Sequence, residues 1–328
     1  AKFGVAATLH ELGVLEVKKH NLGSAVMFLQ QALDLRRQFQ MVAPSEETEA
    51  DCASTLHQLA AVHVAGRPPS LDVAELLLNE ALGMSMQIGQ RAATLKQLAR
   101  VAIRRGEFDL AEKSLSQALE LYGDLYGEST LHINVAAVHF QQGILAFQRE
   151  QLEQAWVYFS ECLRARRHVY AYAQGNHLEV SVVLHELGCV AQAQKRTSKA
   201  QEMFEAEKTI LDQLDDSSSN QQRLLQARLT NFMWLKKCAK AEGNDEMVRQ
   251  FTVQRSELKR QAKKTNSSEA KIEHPETLSL IREALQCRLL TRQYAKSESE
   301  PDRNQLSLAL DALARETGRC TRCPQSIR

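Results

Sequence analysis

Hydrophobic and small residues follow one spaced pattern that returns six times along the chain. A Leu-Gly or Leu-Ala step is followed, about a dozen residues later, by Ala, then by Leu or an aromatic residue, and then by another small residue. In the first copy, Leu12 and Gly13 form the step, and Ala25, Leu29 and Ala32 follow it. The residues equivalent to Leu12 are Leu59, Leu98, Gln142, Leu187 and Trp234, which gives periods of 47, 39, 44, 45 and 47 residues. The pattern predicts a repeat protein.

Each copy contains two stretches with the spacing of an amphipathic helix, separated by a short turn. Small residues at the step let one helix backbone approach the next, and a bulky residue on the second helix fills the space between them. A single helix pair cannot bury its own apolar face, whereas stacked pairs can. We therefore predict an all-α fold, a right-handed α-solenoid of stacked antiparallel helix pairs. The small residues are Gly13, Ala60, Ala99, Gly143 and Gly188.

The six copies together resemble a tetratricopeptide repeat (TPR) array over roughly residues 5 to 260. Within that family, the long period and the stretches from His177 to Gly188 and from His274 to Leu278 resemble the kinesin light chain subgroup. The resemblance implies binding of extended peptides in a concave groove, and for the subgroup it implies cargo peptides with an aromatic residue beside acids. The subgroup commonly carries paired Asn before the step. This chain instead has His10-Glu11, His57-Gln58, Lys96-Gln97 and His185-Glu186 there, so cargo specificity does not carry over.

Turn-forming and polar residues divide the chain into segments. We expect five helix-pair repeats of the TPR array in residues 1–215, a sixth, degenerate repeat in 216–262, a linker in 263–275, a C-terminal helical hairpin or cap in 276–316 and a disordered tail in 317–328. The chain starts with Ala1 instead of Met, which suggests a fragment or a processed product.

Composition argues against several functional classes. The chain has 41 basic and 40 acidic residues and a formal net charge of +1, which gives little non-specific attraction to nucleic acid. The sequence has no apolar run long enough to predict a membrane span. Phosphate-binding loops, zinc-protease motifs and nucleophile elbows are also missing from the sequence. We therefore predict a non-enzymatic protein with no cofactor and no metal, nucleic-acid or membrane partner.

The chain has 7 cysteines, an odd number scattered through the predicted helices. This usage is typical of a reducing compartment and predicts a cytoplasmic protein. Cys320 and Cys323 have a spacing that suits zinc or redox chemistry, but a zinc site needs two further ligands. We therefore expect these two residues to belong to the disordered tail.

Helix periodicity predicts which residues line the concave groove. In the first copy, Ala7, His10, Val14, Val17 and Lys18 cluster roughly 140° away from the packing positions. Across the six copies, the equivalent positions hold six Lys or Arg and three His but no Asp or Glu. The predicted peptide-groove residues are His10, Val14, Lys18, His57, Lys96, Arg100, Arg104, Phe140, Phe147, His185, Lys236 and Lys240.

A basic, partly apolar groove favours a peptide that carries carboxylates and an aromatic or aliphatic anchor. The predicted function is a protein-interaction adaptor or scaffold, with motor–cargo linkage as one role. The alternative is a sensor or ligand-binding TPR arm of a larger signalling ATPase or multidomain enzyme. If the histidines take part in binding, affinity for an acidic peptide should strengthen as the pH falls from about 7.5 to about 6.

Overall fold

The computed structural model describes residues 2–265, apart from residues 20, 67, 128–130, 174–176 and 215–220. These residues form twelve α-helices and one short 3-10 turn at Ala171–Ala173. The helices are α1 (Lys2–Lys18), α2 (Leu22–Val42), α3 (Glu46–Ala65), α4 (Leu71–Leu82), α5 (Ile88–Arg105), α6 (Phe108–Tyr126), α7 (Ile133–Gln148), α8 (Leu152–Val169), α9 (Leu178–Ala193), α10 (Thr197–Gln213), α11 (Gln221–Ala241) and α12 (Asp245–Thr265).

The helices pack as six antiparallel pairs, α1 with α2 through α11 with α12. The second helix of each pair packs against the first helix of the next pair, and the first helices of the early pairs also touch one another. Buried side chains therefore form a series of cores along the array. One such core joins Leu33 of α2 to Cys52 and Leu56 of α3. This stacking confirms the prediction of an all-α array of helix pairs.

Glycine at the step allows close contact inside three of the pairs. A Cβ atom added to Gly13 would lie 2.5 Å from Leu29 Cγ, and one added to Gly188 would lie 2.5 Å from Phe204 Cε1. Gly143 has the same relation to Phe159 Cε1, at 2.6 Å. Leu29, Phe159 and Phe204 are fully buried. The predicted packing of a small residue against a bulky one is therefore confirmed at these positions.

The turn between the two helices of a pair has the same hydrogen bond in the fifth and sixth pairs. The Lys195 amide donates to the Gln192 carbonyl at 3.0 Å, and the Gly243 amide donates to the Lys240 carbonyl at 3.2 Å. Both turn residues have a left-handed backbone, with φ of 60° at Lys195 and 71° at Gly243. The fifth and sixth pairs are thus offset by 48 residues (243 minus 195).

This offset corrects the register of the sixth repeat. The residue equivalent to Leu187 is Leu235, so the sequence assignment to Trp234 is wrong by one position. Leu235 is only 1% exposed, whereas Trp234 is half-buried and stacks on Phe204 with ring centroids 5.5 Å apart. The sequence pattern failed here because Lys236 occupies the position that holds Gly188 in the fifth repeat.

Helix α12 runs to Thr265, three residues into the segment predicted as a linker. The predicted hairpin at 276–316 and the predicted tail at 317–328, with Cys320 and Cys323, lie outside the described residues. Within the described part, Cys52, Cys162, Cys189 and Cys238 are buried free thiols. None of the helices described has the length and apolar character that crossing a membrane requires.

Candidate functional site

Two of the predicted groove histidines form hydrogen bonds between neighbouring repeats. His10 Nδ1 lies 3.3 Å from Thr55 Oγ1, and His57 Nδ1 lies 3.2 Å from Thr94 Oγ1. Each histidine belongs to the first helix of its pair, and each threonine belongs to the first helix of the next pair. The threonines are almost completely buried. This helix position therefore faces the following repeat.

Two buried arginines hold the next helix by its backbone. Arg36, in the last turns of α2, donates through its guanidinium to the Asp51 carbonyl at 2.6 Å and to Thr55 Oγ1 at 2.5 Å. Arg166, at the equivalent position of α8, donates to the Glu179 carbonyl at 2.5 Å. The Arg36 guanidinium also lies 3.6 Å from the Asp51 carboxylate, and the Arg166 guanidinium lies 3.2 Å from the Glu179 carboxylate.

Helix periodicity in the sequence predicts no role for Arg36 or Arg166. The available signal was a basic residue late in the second helix, followed 15 or 13 residues later by an acid at the start of the next helix (51 minus 36 and 179 minus 166). Because this pairing crosses a loop, helix periodicity alone does not reveal it.

A buried polar cluster joins α9, α10 and α11. Glu207 occupies the position that holds Ala32 in the first repeat, and its carboxylate lies 3.0 Å from His185 Nδ1. Asn231 donates to the same carboxylate at 2.9 Å and to the Phe204 carbonyl at 2.7 Å. Glu186 is 2% exposed, and its Oε1 atom has no hydrogen-bond partner. Within the described residues, no group of three or more His, Cys, Asp and Glu is arranged to hold a metal ion.

Burial and charge shift the pKa values in this cluster. Burial raises the pKa of Glu186 to about 7, an effect that His185 opposes and Glu207 reinforces. Burial tends to lower the pKa of His185, but the Glu207 carboxylate and Cys189 outweigh it and raise this pKa well above 6.5. His185 and Glu207 therefore form a buried ion pair at neutral pH.

Four predicted groove residues lie inside the array. His10 is 8% exposed, and Phe140, Phe147 and His185 are 5%, 6% and 3% exposed. His10 is covered by α3, where it contacts Thr55. Phe140 packs on Phe159 and Arg166 of α8, and His185 packs on Phe204 of α10 and Trp234 of α11. The assignment of these four residues to an open groove is corrected accordingly.

The structure brings four further predicted residues together with Arg166, which was not predicted, in a group that we name the central basic cluster. It consists of His57, Lys96, Arg100, Arg104 and Arg166, from α3, α5 and α8. Burial, with the nearby Arg100 and Arg166 as further causes, lowers the pKa of Lys96 to about 8. Burial also lowers the pKa of His57 to about 4, with Lys96 and Arg100 as additional causes.

The remaining predicted residues lie at the two ends of the described array. Val14 and Lys18 belong to α1, where Val14 is half-buried and Lys18 is exposed. Lys236 and Lys240 belong to α11 and line a cleft shared with α12. The twelve predicted residues thus fall into three sets, which are the buried residues inside the array, the central basic cluster and the residues at the two ends of the described array.

These pKa values argue against a strong pH response from the histidines. The pKa of His57 is about 4, so its ring stays neutral between pH 7.5 and pH 6. Burial and the Arg36 guanidinium lower the pKa of His10 below 6.5, whereas that of His185 is raised well above it. His57 and His185 therefore keep one charge state in that window, and the lowered pKa of His10 reduces the charge that it gains there.

No protein-family model matches the chain, and no curated protein matches it. Solved structures do match. BtubC (BKLC) from P. vanneervenii is 18% identical, with a TM-score of 0.60 over 78% of this chain and 96% of that chain. A Rap protein complexed with competence and sporulation factor is 12% identical, with a TM-score of 0.53 over 95% of this chain and 98% of that chain.

The described helices form an α-solenoid of stacked helix pairs with a TPR-like fold. The fold predicted from the sequence is therefore confirmed. A Podosopora anserina putative kinesin light chain with TPR-like repeats is 20% identical, with a TM-score of 0.48 over 62% of this chain and 93% of that chain. This likeness does not decide between subgroups, so the kinesin light chain resemblance of the TPR array stays a prediction.

Proposed function

We propose that this TPR array is a protein-interaction scaffold, and that its central basic cluster binds an acidic segment of a partner protein. The observation that carries the proposal is Lys96, a half-buried amine whose charged neighbours are the cations Arg100 and Arg166. Within the described part of the chain, Lys96 forms no salt bridge. A carboxylate placed beside it would stabilise its charged form, because an opposite charge offsets both burial and repulsion.

The geometry around Lys96 supports recognition of a peptide. The Arg166 guanidinium lies over the Phe140 ring, with Cζ 5.0 Å from the ring centroid, and this contact together with the bond to Glu179 holds the charge in place. Arg104 donates to the Val64 carbonyl at 2.6 Å. Cations held by such contacts lose little freedom when a ligand binds, which favours affinity.

The experiment measures fluorescence anisotropy with a labelled peptide of alternating acidic and aromatic residues, beside a version with Gln and Asn in place of the acids. We expect the acidic peptide alone to bind, and Lys96→Glu to weaken it by about tenfold or more because attraction becomes repulsion. Lys113→Glu is the matched control, since Lys113 is an exposed lysine of α6. Equal binding of both peptides, or equal loss in both variants, would overturn the proposal.

The pH dependence of the same binding gives a second measurement. The Lys96 amine is charged below its pKa of about 8 and loses its proton above it. Affinity should therefore weaken, by up to about tenfold, between pH 7 and pH 9. Lys96→Arg keeps the charge throughout, so that variant should bind with little change over this range.

The proposal concerns a binding surface and a ligand class. Motor–cargo linkage and a cytoplasmic location are finer proposals that rest on the sequence resemblance and on cysteine usage. Co-purification of the full chain with a motor protein from a cell extract would test the first of these.

A further inference from the structure

The last helix pair of the described array ends in a cationic cleft. The cleft has a volume of about 320 Å³ and lies between α11 and α12. Five basic side chains line it, and no acidic side chain among the described residues does. The lining residues are Met233, Lys236, Lys237, Lys240, Thr252, Arg255, Ser256 and Lys259.

The offset of 48 residues shows what this cleft corresponds to in the preceding repeat. Met233, Lys236 and Lys237 are equivalent to His185, Gly188 and Cys189, while Thr252 and Arg255 are equivalent to Phe204 and Glu207. In the fifth repeat all of these residues are buried. Helix α11 covers them there, since Trp234 contacts Phe204 and His185, and Asn231 binds Glu207.

The cleft thus lies where a following helix would pack on the sixth repeat. Its residues, however, differ from those on which α11 packs in the fifth repeat. The fifth repeat has Gly188 and Phe204, which α11 covers, whereas the sixth repeat has Lys236 and Thr252 at these positions. Met233 is the one apolar side chain among the lining residues described. Covering these cations with an apolar helix would remove their hydration, which is strongly unfavourable when no negative charge replaces it.

We propose that this cleft binds a compact soluble molecule that carries several phosphate groups. Three of the lysines come from α11, and the arginine and the fourth lysine come from α12, so cations face the cleft from both walls. The volume lies at the lower end of the range for small-molecule sites.

The lysine-rich composition favours phosphate over carboxylate. Lysine ammonium groups act as point charges that can approach phosphate oxygens from several directions, whereas planar carboxylates are matched best by arginine. Arg255 is the one arginine of the lining, and its Nε donates to the Leu229 carbonyl at 3.2 Å. The Lys237 amine lies 4.2 Å from the Trp234 ring centroid, and this contact orients the lysine side chain at the edge of the cleft.

The test is isothermal titration of the full chain with inositol hexakisphosphate at physiological salt. We expect micromolar or tighter binding. The double variant Lys237→Glu with Lys259→Glu should weaken it by about tenfold or more, because one cation is reversed on each wall. Both side chains are exposed, so the fold should be retained, and far-ultraviolet circular dichroism checks this.

The matched control is Lys113→Glu with Arg167→Glu, which makes the same change in net charge at two exposed positions outside the cleft. We expect the control to bind like the unmodified chain. No binding, equal weakening in both double variants, or tighter cleft-dependent binding of a single-stranded RNA 12-mer or an acidic peptide would each overturn the proposal. Neither Lys237 nor Lys259 belongs to the central basic cluster, so this result is independent of the peptide test.

Discussion

Glycine at the step is the residue on which the packing inside a pair depends most directly. Gly188 lies in the interior of α9, where glycine is less favourable for a helix than alanine. Its lack of a side chain is nevertheless required, because a Cβ atom would lie 2.5 Å from the buried Phe204 ring. Close packing at this position therefore outweighs helix propensity.

We predict that Gly188→Ala destabilises the protein by about 1–3 kcal/mol, because the Phe204 ring has to move within a packed core. Gly123→Ala is the control. Gly123 lies in α6, and an added Cβ atom there would meet nothing within 4 Å. Its substitution should stabilise the protein by roughly 0.5–1 kcal/mol. Urea unfolding followed by circular dichroism measures both, and two shifts of the same sign would contradict the packing argument.

At the scale of elements, polar contacts hold the helix pairs together at the joints, by which we mean the interfaces between one pair and the next. The first joint uses Arg36 and the His10–Thr55 contact, and the fifth uses the buried Glu207 with His185 and Asn231. Buried polar groups of this kind are costly unless each finds a partner, so they favour one arrangement of neighbouring pairs. Glu186 departs from that rule, since one of its carboxylate oxygens is unpaired.

The pKa of Glu186, about 7 in the folded chain and ordinarily 4.5, makes the fifth joint sensitive to pH. Because the folded state holds this proton more tightly, stability should fall as the pH rises from 4.5 to 7. Glu186→Gln removes the charge. We expect the variant to be more stable than the unmodified chain at pH 8, by up to about 3 kcal/mol, and nearly equal to it at pH 5.

Chemical denaturation at the two pH values measures this difference. The control is Glu11→Gln, which changes the equivalent position of α1, where the side chain is exposed. That substitution should change stability little at either pH. A Glu186→Gln variant with the same relative stability at pH 5 and pH 8 would show that the buried carboxyl does not control the joint.

At the scale of the whole array, stability should vary along the solenoid because each pair contacts mainly its neighbours. Helix α9 is buried along most of its length, whereas α12 exposes most of its side chains. We predict the slowest amide hydrogen exchange in α9 and fast exchange in α1 and α12, measured by mass spectrometry. Uniform exchange across the twelve helices would instead indicate one cooperative unit.

The spacing of residues along the sequence is enough to predict the repeat, the helix pairs and the contact of a small residue with a bulky one. These features depend on spacing within one helix or between two adjacent helices, and periodicity records that spacing. Periodicity also predicted Lys96, Arg100 and Arg104 as binding residues, because they share one face of α5. It missed Arg166, which reaches this cluster from another repeat.

Which helix faces are exposed depends instead on how the helix pairs stack. Periodicity shows that His10 and His185 share a face with groove positions, but the angle between successive pairs turns that face toward the next helix and buries it. The cationic cleft likewise combines residues of two helices, α11 and α12, and no described helix covers it. Such angles depend on packing between distant side chains, and a local hydrophobic pattern does not specify them.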